Sequence, residues 1–407
     1  MKKNNYALWG LPEKVDFCKK CVISNQRPNS TVEMKNKNLN KQTIAFNGDG
    51  ICSACEFAEN KKETNWKERE DLLFELLEPY RSKDGSYDVL VPSSGGKDSA
   101  FQAHVLKYKY KMNPLAITWA PNMFTRAGWL NFNNLSRIGG VDSFLYTPNG
   151  KLHSYLTKIA FMNLGHPFQP FIHGQKIVGP KLAEKFGIKL IMYGENQAEY
   201  GNPIENNSDP FMEPSFFSIN DPLDMLLGGV SVAETIKKTE FKFEEFQPYI
   251  PPTPEALIKK DIKVTYLGYF EKWDPQECYY YAVDNTGFMP SYERSIGTYS
   301  RYTEIDDKIV PFHFYMTYIK FGIGRATYDS AQEVRNGKIT RDEAAYLIKK
   351  FDGEFPERYA NEFCKYIGIT MDDFYKTVDS FRSPHLWSKK SGEWRLRHTV
   401  NKTGSDD

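Results

Sequence analysis

Pro92-Ser93-Ser94-Gly95-Gly96-Lys97-Asp98-Ser99 stands between a short apolar run and a helical one. Val89-Leu90-Val91 before it reads as a strand, and Ala100 to Tyr110 after it reads as a helix. Further out, Pro114 to Trp119 is the next strand, Leu130 to Ile138 a helix and Ser143 to Tyr146 a third strand. Ile172 to Phe186 reads as a helix closed by Gly187, and Ile188 to Tyr193 as a fourth strand ending at Gly194. Upstream, Trp66, Leu72, Leu73, Leu76 and Leu77 recur at helical spacing. Downstream, Val264 to Leu267 resumes strand character. Strands alternating with helices predict an α/β fold, a doubly wound parallel sheet covered on both faces.

The loop itself suits an anion. Consecutive glycines let the backbone turn tightly and gather several N–H groups, and the following helix adds its positive end. Lys97 brings a full charge, Ser94 and Ser99 bring hydroxyl donors, and Asp98 beside phosphate implies Mg²⁺. The run is not a Walker A loop, because Val91 stands where the first glycine belongs and Asp98 where Ser or Thr belongs. It resembles the SGGxDS loop of the PP-loop ATP pyrophosphatases, whose fold is adenine-nucleotide α-hydrolase-like and which split ATP between the α and β phosphates. At the end of the fourth strand stands Gly194-Glu195-Asn196-Gln197-Ala198-Glu199. Ligands bind beyond the carboxyl ends of strands in such sheets. Gly194 allows close backbone approach, while Glu195, Asn196 and Glu199 offer polar groups to ribose, metal or substrate.

Two pairs, Cys18-x-x-Cys21 and Cys52-x-x-Cys55, have the spacing of a tetrahedral four-thiolate site. Zn²⁺ in a structural role is expected, with an iron–sulfur cluster as the rival. Cys278 and Cys364 lack partner spacing and read as buried apolar residues. Lys and Arg number 53 against 52 Asp and Glu, so nothing pushes the chain toward nucleic acid. No run of about 18 apolar residues exists and Met1 to Asn5 is followed by no apolar stretch, so a cytoplasmic protein without a membrane span is expected.

The chain divides in expectation into a cysteine module (1–60), the first part of the nucleotide domain (61–200), an insertion (201–260), the end of that domain (261–308), a helical region (309–384) and a solvated tail (385–407). Prolines from Pro203 to Pro254 break the insertion, which reads either as a lid over substrate or as a surface elaboration. His166 and His173 read as core or capping histidines before catalytic ones, and Asp306-Asp307 as an exposed turn before a metal ligand. Arg325, in a Gly-flanked loop before a helix, is a candidate partner for phosphate or a sugar carboxylate.

Together the cysteine pairs, the Pro92–Ser99 run, Gly194-Glu195-Asn196, Lys320-Phe321-Gly322-Ile323-Gly324-Arg325-Ala326-Thr327 and Val334 to Ala344 resemble the N-acetyl sugar amidotransferases. These serve bacterial surface-polysaccharide, O-antigen and flagellar-glycan (pseudaminic-acid-type) biosynthesis. The resemblance implies ATP-dependent conversion of a sugar acetamido group to acetamidino, with Lys97, Asp98 and Arg325 in catalytic roles. It also implies ammonia from a HisH-like glutaminase with a HisF-like companion, since no glutaminase segment is evident in this chain. The alternatives are a tRNA-modifying PP-loop enzyme of the thiolation type and a non-catalytic, zinc-stabilised nucleotide-binding subunit.

Overall fold

Alternation of side chains along a strand decides which face of a sheet each residue meets. A computed structural model describes residues 6–30, 32–36, 40–202, 210–213 and 216–400. Met1 to Asn5, Pro203 and Pro214 of the proline-broken stretch, and the last residues 401–407 lie outside the described residues. Five parallel strands make one sheet: β1 (Val89–Pro92), β2 (Pro114–Trp119), β3 (Asp142–Tyr146), β4 (Leu190–Tyr193) and β5 (Lys263–Tyr266). Their order is β3-β2-β1-β4-β5. Leu90 joins Ile117, Ile191 and Val264 in one core, under the helices Gly150–Leu164 and Gln169–Phe186. Val89 and Val91 point the other way, into a second core with Ala116, Leu190 and Met192. The helices Trp66–Leu77, Lys97–Tyr108 and Pro275–Thr286 close that face. The expected α/β architecture, a parallel sheet covered on both faces, is the one observed.

Several boundaries differ from the sequence expectation. Helix Lys97–Tyr108 begins inside the glycine loop rather than after it. Helix Arg126–Arg137 begins four residues before Leu130, where the Thr125 side chain accepts the Gly128 N–H. Helix Gly150–Leu164 has no counterpart in the sequence expectation. It carries ordinary signals: the Asn149 side chain accepts the N–H groups of Lys151 and Leu152, and Gly165 ends the helix at φ 60°.

Five helices follow residue 309: Val310–Phe321, Arg325–Arg335, Arg341–Phe351, Glu357–Ile367 and Met371–Ser380. The stretch after Pro384 does not begin as a solvated tail. Trp387–Lys390 and Glu393–Leu396 pair as a hairpin, and the buried Trp387 indole donates to the Ile319 carbonyl at 2.7 Å. The cysteine module packs into the same core as these helices. Leu8 N–H donates to Ser383 Oγ at 2.9 Å, and the Ser53 hydroxyl donates to the Gly201 carbonyl at 3.0 Å.

Candidate functional site

Strand order reverses at β1: the chain runs from β1 out to β2 and β3, then returns to pair β4 on the other side. The crevice beyond the carboxyl ends of β1 and β4 is therefore a topological switch point, the usual ligand position in an open α/β sheet. The loop Ser93–Gly96 leaves β1 there and Gly194–Asn196 leaves β4. A cavity of about 640 Å³ opens at this place, within the range of small-molecule sites.

The glycines of the first loop have distinct reasons to be there. Gly95 has φ 81°, and a Cβ on it would stand 2.8 Å from the Phe132 backbone nitrogen. Only glycine fits. Gly96 caps helix Lys97–Tyr108 without a side-chain bond, which leaves the first-turn N–H groups for an anion. Lys97 is buried, with Nζ 2.5 Å from Asp98 Oδ2. Burial alone would lower its pKa, and the Asp98 charge outweighs that and raises it, so Lys97 is a cation. Asp98 Oδ1 is buried with no partner among the described residues.

Of the residues singled out in the sequence, Ser94 to Asp98, Glu195 and Arg325 line the cavity together. Burial pushes the Glu195 carboxyl up to about 7, and the charge of Asp98 adds to it. Arg325 opens its helix after Gly324, with ion pairs of 2.9 Å to Asp329 and 3.2 Å to Glu304. Its charge is already shared with two carboxylates. The others hold the framework instead. A Cβ on Gly194 would stand 2.6 Å from the Trp273 ring, so this glycine serves packing. The Asn196 side chain accepts Ala198 N–H at 3.0 Å and caps the turn Gln197–Tyr200. Ser99 Oγ donates to the Gly96 carbonyl at 3.1 Å. Glu199 is buried in an ion pair with Lys61, Nζ to Oε1 2.5 Å. Burial raises its pKa, partly offset by Lys61.

Asp306-Asp307 is not an exposed turn. Asp307 is buried, its Oδ1 accepting the Ile309 N–H at 2.7 Å, and Asp306 lines the cavity. Burial and the neighbouring Glu304 push Asp306 up to about 7. The two histidines part company. His173 is buried and its Nε2 meets the Tyr249 carbonyl at 2.7 Å, a structural contact. His166 lines the cavity, its ring stacked 4.4 Å from that of His313, which the sequence reading missed. A signal for it exists: His313, Thr317 and Lys320 make a polar stripe at i, i+4, i+7 on the otherwise apolar helix Val310–Phe321. All three line the cavity.

Among the described residues, none from 210 to 260 lines the cavity. That stretch covers the sheet instead, with Phe246 and Tyr249 fully buried. The remaining wall comes from the cysteine module, through Arg27, Glu33 and Lys41 among others.

In that module the four cysteines are buried, with ligand atoms all within 4.8 Å of one another. The Cys18 and Cys55 sulfurs are 3.8 Å apart and those of Cys21 and Cys52 3.7 Å. Zinc–sulfur bonds of about 2.3 Å at tetrahedral angles place sulfurs about 3.8 Å apart. The set therefore fits one zinc ion in a closed, structural site. The Arg341 guanidinium donates to the carbonyls of Cys18 (3.3 Å) and Cys21 (3.0 Å), locking the first knuckle to the C-terminal helices.

Residues 296–401 match the family model of the C-terminal domain of WbpG-like LPS biosynthesis proteins. The matched segment contributes Asp306, His313, Lys320 and Arg325 to the cavity. It points to a role in glycan biosynthesis. A curated relative, the uncharacterized protein MJ1599 of Methanocaldococcus jannaschii, is 32% identical over 77 residues, 19% of this chain. The match spans 27% of that protein's length. Among the described residues no helix is long and apolar enough to cross a membrane.

Proposed function

We propose that the chain is an ATP-dependent amidotransferase that converts the N-acetyl group of a bacterial glycan sugar to acetamidino, releasing AMP and pyrophosphate. One observation carries this reading: an anion-shaped loop at the switch point shares a single cavity with side chains from the segment that matches LPS-biosynthesis proteins. In this reaction the amide oxygen attacks the α-phosphorus of ATP, and the bond from that phosphorus to the bridging oxygen breaks. The amide N–H proton leaves, giving an O-adenylyl imidate. Ammonia then adds to the imidate carbon, and AMP departs with the former amide oxygen. The amidine keeps a proton at neutral pH.

The chain's own groups have matching tasks. Lys97 and the first-turn amides of its helix stabilise charge on the departing pyrophosphate. Glu195, near its pKa at neutrality, is suited to take the amide proton. Asp98, Glu195 and Asp306 crowd carboxyls beside the loop, and the unpartnered Asp98 Oδ1 fits a hard divalent cation. When bound, Mg²⁺ supplies neutralisation of the phosphate charge. Ammonia is assigned to a partner glutaminase of the HisH-like type with a HisF-like companion.

The test supplies ATP, Mg²⁺, ammonium and an N-acetylated sugar acid, free or nucleotide-linked, and reads AMP together with a mass loss of about one dalton as NH replaces oxygen. Lys97→Ala is expected to lower AMP formation by at least 100-fold in a folded protein, the scale on which a lost electrostatic stabiliser acts. AMP that forms only with tRNA present overturns the sugar reading.

A further inference from the structure

Arg27 is only 5% exposed, and its Nη1 has no partner among the described residues. It stands in extended backbone: Ile44 N–H donates to the Arg27 carbonyl and Asn29 N–H to the Gln42 carbonyl, both at 2.9 Å. Residues two apart on such a segment point the same way, and Arg27 and Asn29 both line the cavity. Asn29 Nδ2 donates to the Thr43 carbonyl at 3.2 Å, which leaves its Oδ1 buried without a donor. The helix Arg325–Arg335 supplies the other half of this wall. Arg325, Tyr328 and Gln332 fall on one face at i, i+3 and i+7, and all three line the cavity. The terminal nitrogens of Arg325 pair with Glu304 and Asp329, while its Nε and the Nε2 of Gln332 are buried without an acceptor. Tyr328 joins the two halves: its ring centroid lies 5.8 Å from the Arg27 guanidinium, and Arg325 is its other basic neighbour.

Three of these open atoms are N–H donors and one is an acceptor, set around an aromatic ring. Buried polar groups are ordinarily paired, so a wall with four open ones is shaped for a ligand that pairs them. A carboxylate or phosphate only accepts and would leave Asn29 Oδ1 unmet, and a metal ion would face the Arg27 guanidinium. Sugar hydroxyls donate and accept at once, and the C–H side of a pyranose suits the electron-rich face of a tyrosine ring. We propose that this wall is the saccharide subsite, in which Arg27, Asn29, Arg325 and Gln332 hold ring hydroxyls against Tyr328. The proposal rests on the reading above only for the sugar being an N-acetylated one. Tyr200 hydrogen-bonds Glu195 and neighbours both Arg27 and Arg325, so the wall adjoins the carboxyl assigned to take the amide proton. A ring held here turns its acetamido group toward Glu195.

The test uses the full chain with Mg²⁺ and an ATP analogue whose α–β bridge is methylene. Three probes are titrated by NMR: N-acetylglucosamine, N-acetylgalactosamine and N-cyclohexylacetamide, which keeps the ring and the acetamido group and lacks the hydroxyls. At least one sugar is expected to bind tenfold or more tightly than N-cyclohexylacetamide, because a site built to pair hydroxyls rejects a ligand without them. Gln332→Met, close in size and without the amide, is expected to cut that margin threefold or more while the affinity for the ATP analogue stays the same. Arg27→Met is expected to cut it further, and if that variant does not fold, Gln332→Met decides alone. Equal affinity for all three probes, no saturable binding of either sugar, or a margin unchanged in folded variants overturns the subsite. AMP formation is read separately. Hydroxyl preference without amidination removes the proposed reaction and keeps the subsite, whereas amidination without hydroxyl preference does the reverse.

Discussion

In the parallel sheet, β1 is buried on both faces, Leu90 against one set of helices and Val89 and Val91 against another. In the cysteine module, much of the backbone between Leu8 and Ile51 is irregular, and its four sulfurs stand where one ion would hold them. Both regions border the same cavity. The sheet positions the Ser94 loop through apolar burial spread over many side chains, so single changes in it are local. The module positions Arg27, Glu33 and Lys41 through a small number of strong links, so a single change can release a whole wall. A cavity with one wall of each kind is expected to fail in two distinguishable ways.

The strongest attempt to break this contrast removes a ligand. Cys52→Ser is expected to cut zinc content at least tenfold and lower the melting temperature by more than 10 °C, since structural zinc contributes on the order of 10 kcal/mol to such modules. Zinc content and melting unchanged in the variant would mean the module is not metal-held. Next comes the buried pair Lys61–Glu199, which ties the residue that ends helix Ser53–Asn60 to the turn Gln197–Tyr200 after β4. Lys61→Met leaves Glu199 buried without its counter-charge, at a cost of about 3 kcal/mol by urea unfolding at pH 8. At pH 5 the cost shrinks, because Glu199, already raised by burial, takes up a proton. A cost independent of pH would argue for lost packing alone.

On the sheet side, Gly95→Ala places a methyl at positive φ against the Phe132 backbone, for an expected loss of about 2–3 kcal/mol. Gly187→Ala, at φ 70° with open space around it, is the control, expected at about 1 kcal/mol. Equal costs would show that the close approach to Phe132 carries no weight. The smallest effect is a pH slope. Glu195 and Asp306 keep a proton to about pH 7 in the folded chain, above their unfolded values near 4. Their contribution is therefore full below about pH 4 and is lost as pH rises through 7. With both side chains partly exposed, about 2 kcal/mol together is expected. Melting curves from pH 4 to 8 read the slope, and MgATP is expected to flatten it. A slope unchanged by MgATP would place the cation elsewhere.

Much of the sheet was legible because it obeys local rules. Short β-branched and apolar runs, glycine stops and a glycine loop before a helix are visible within ten residues of themselves, and the two loops at the switch point follow from strand alternation. Helix Gly150–Leu164 carries equally local signals: Asn149, Gly165 and a four-residue apolar spacing at Leu152, Leu156, Ala160 and Leu164. The rest of the site was not local. Asp306 looks like a turn residue until the Ser94 loop is folded beside it, and Lys41 meets His166 only through tertiary packing. Glu199 reads as a ligand group in the sequence because a buried lysine 138 residues away cannot be paired with it from spacing. The stretch around 201–260 showed its prolines but not which side of the sheet it covers.

The Arg341 contact has a consequence for synthesis. Its guanidinium reaches back 323 residues to the Cys18 carbonyl. At about 5–20 residues per second, a ribosome finishes that interval in roughly 15–65 s. Throughout that time the cysteines have emerged and the helix that clasps them has not. The nascent module therefore spends that interval without its clasp and with its apolar side uncovered. The four thiols, buried once the chain is folded, are at their most open while it is still being made.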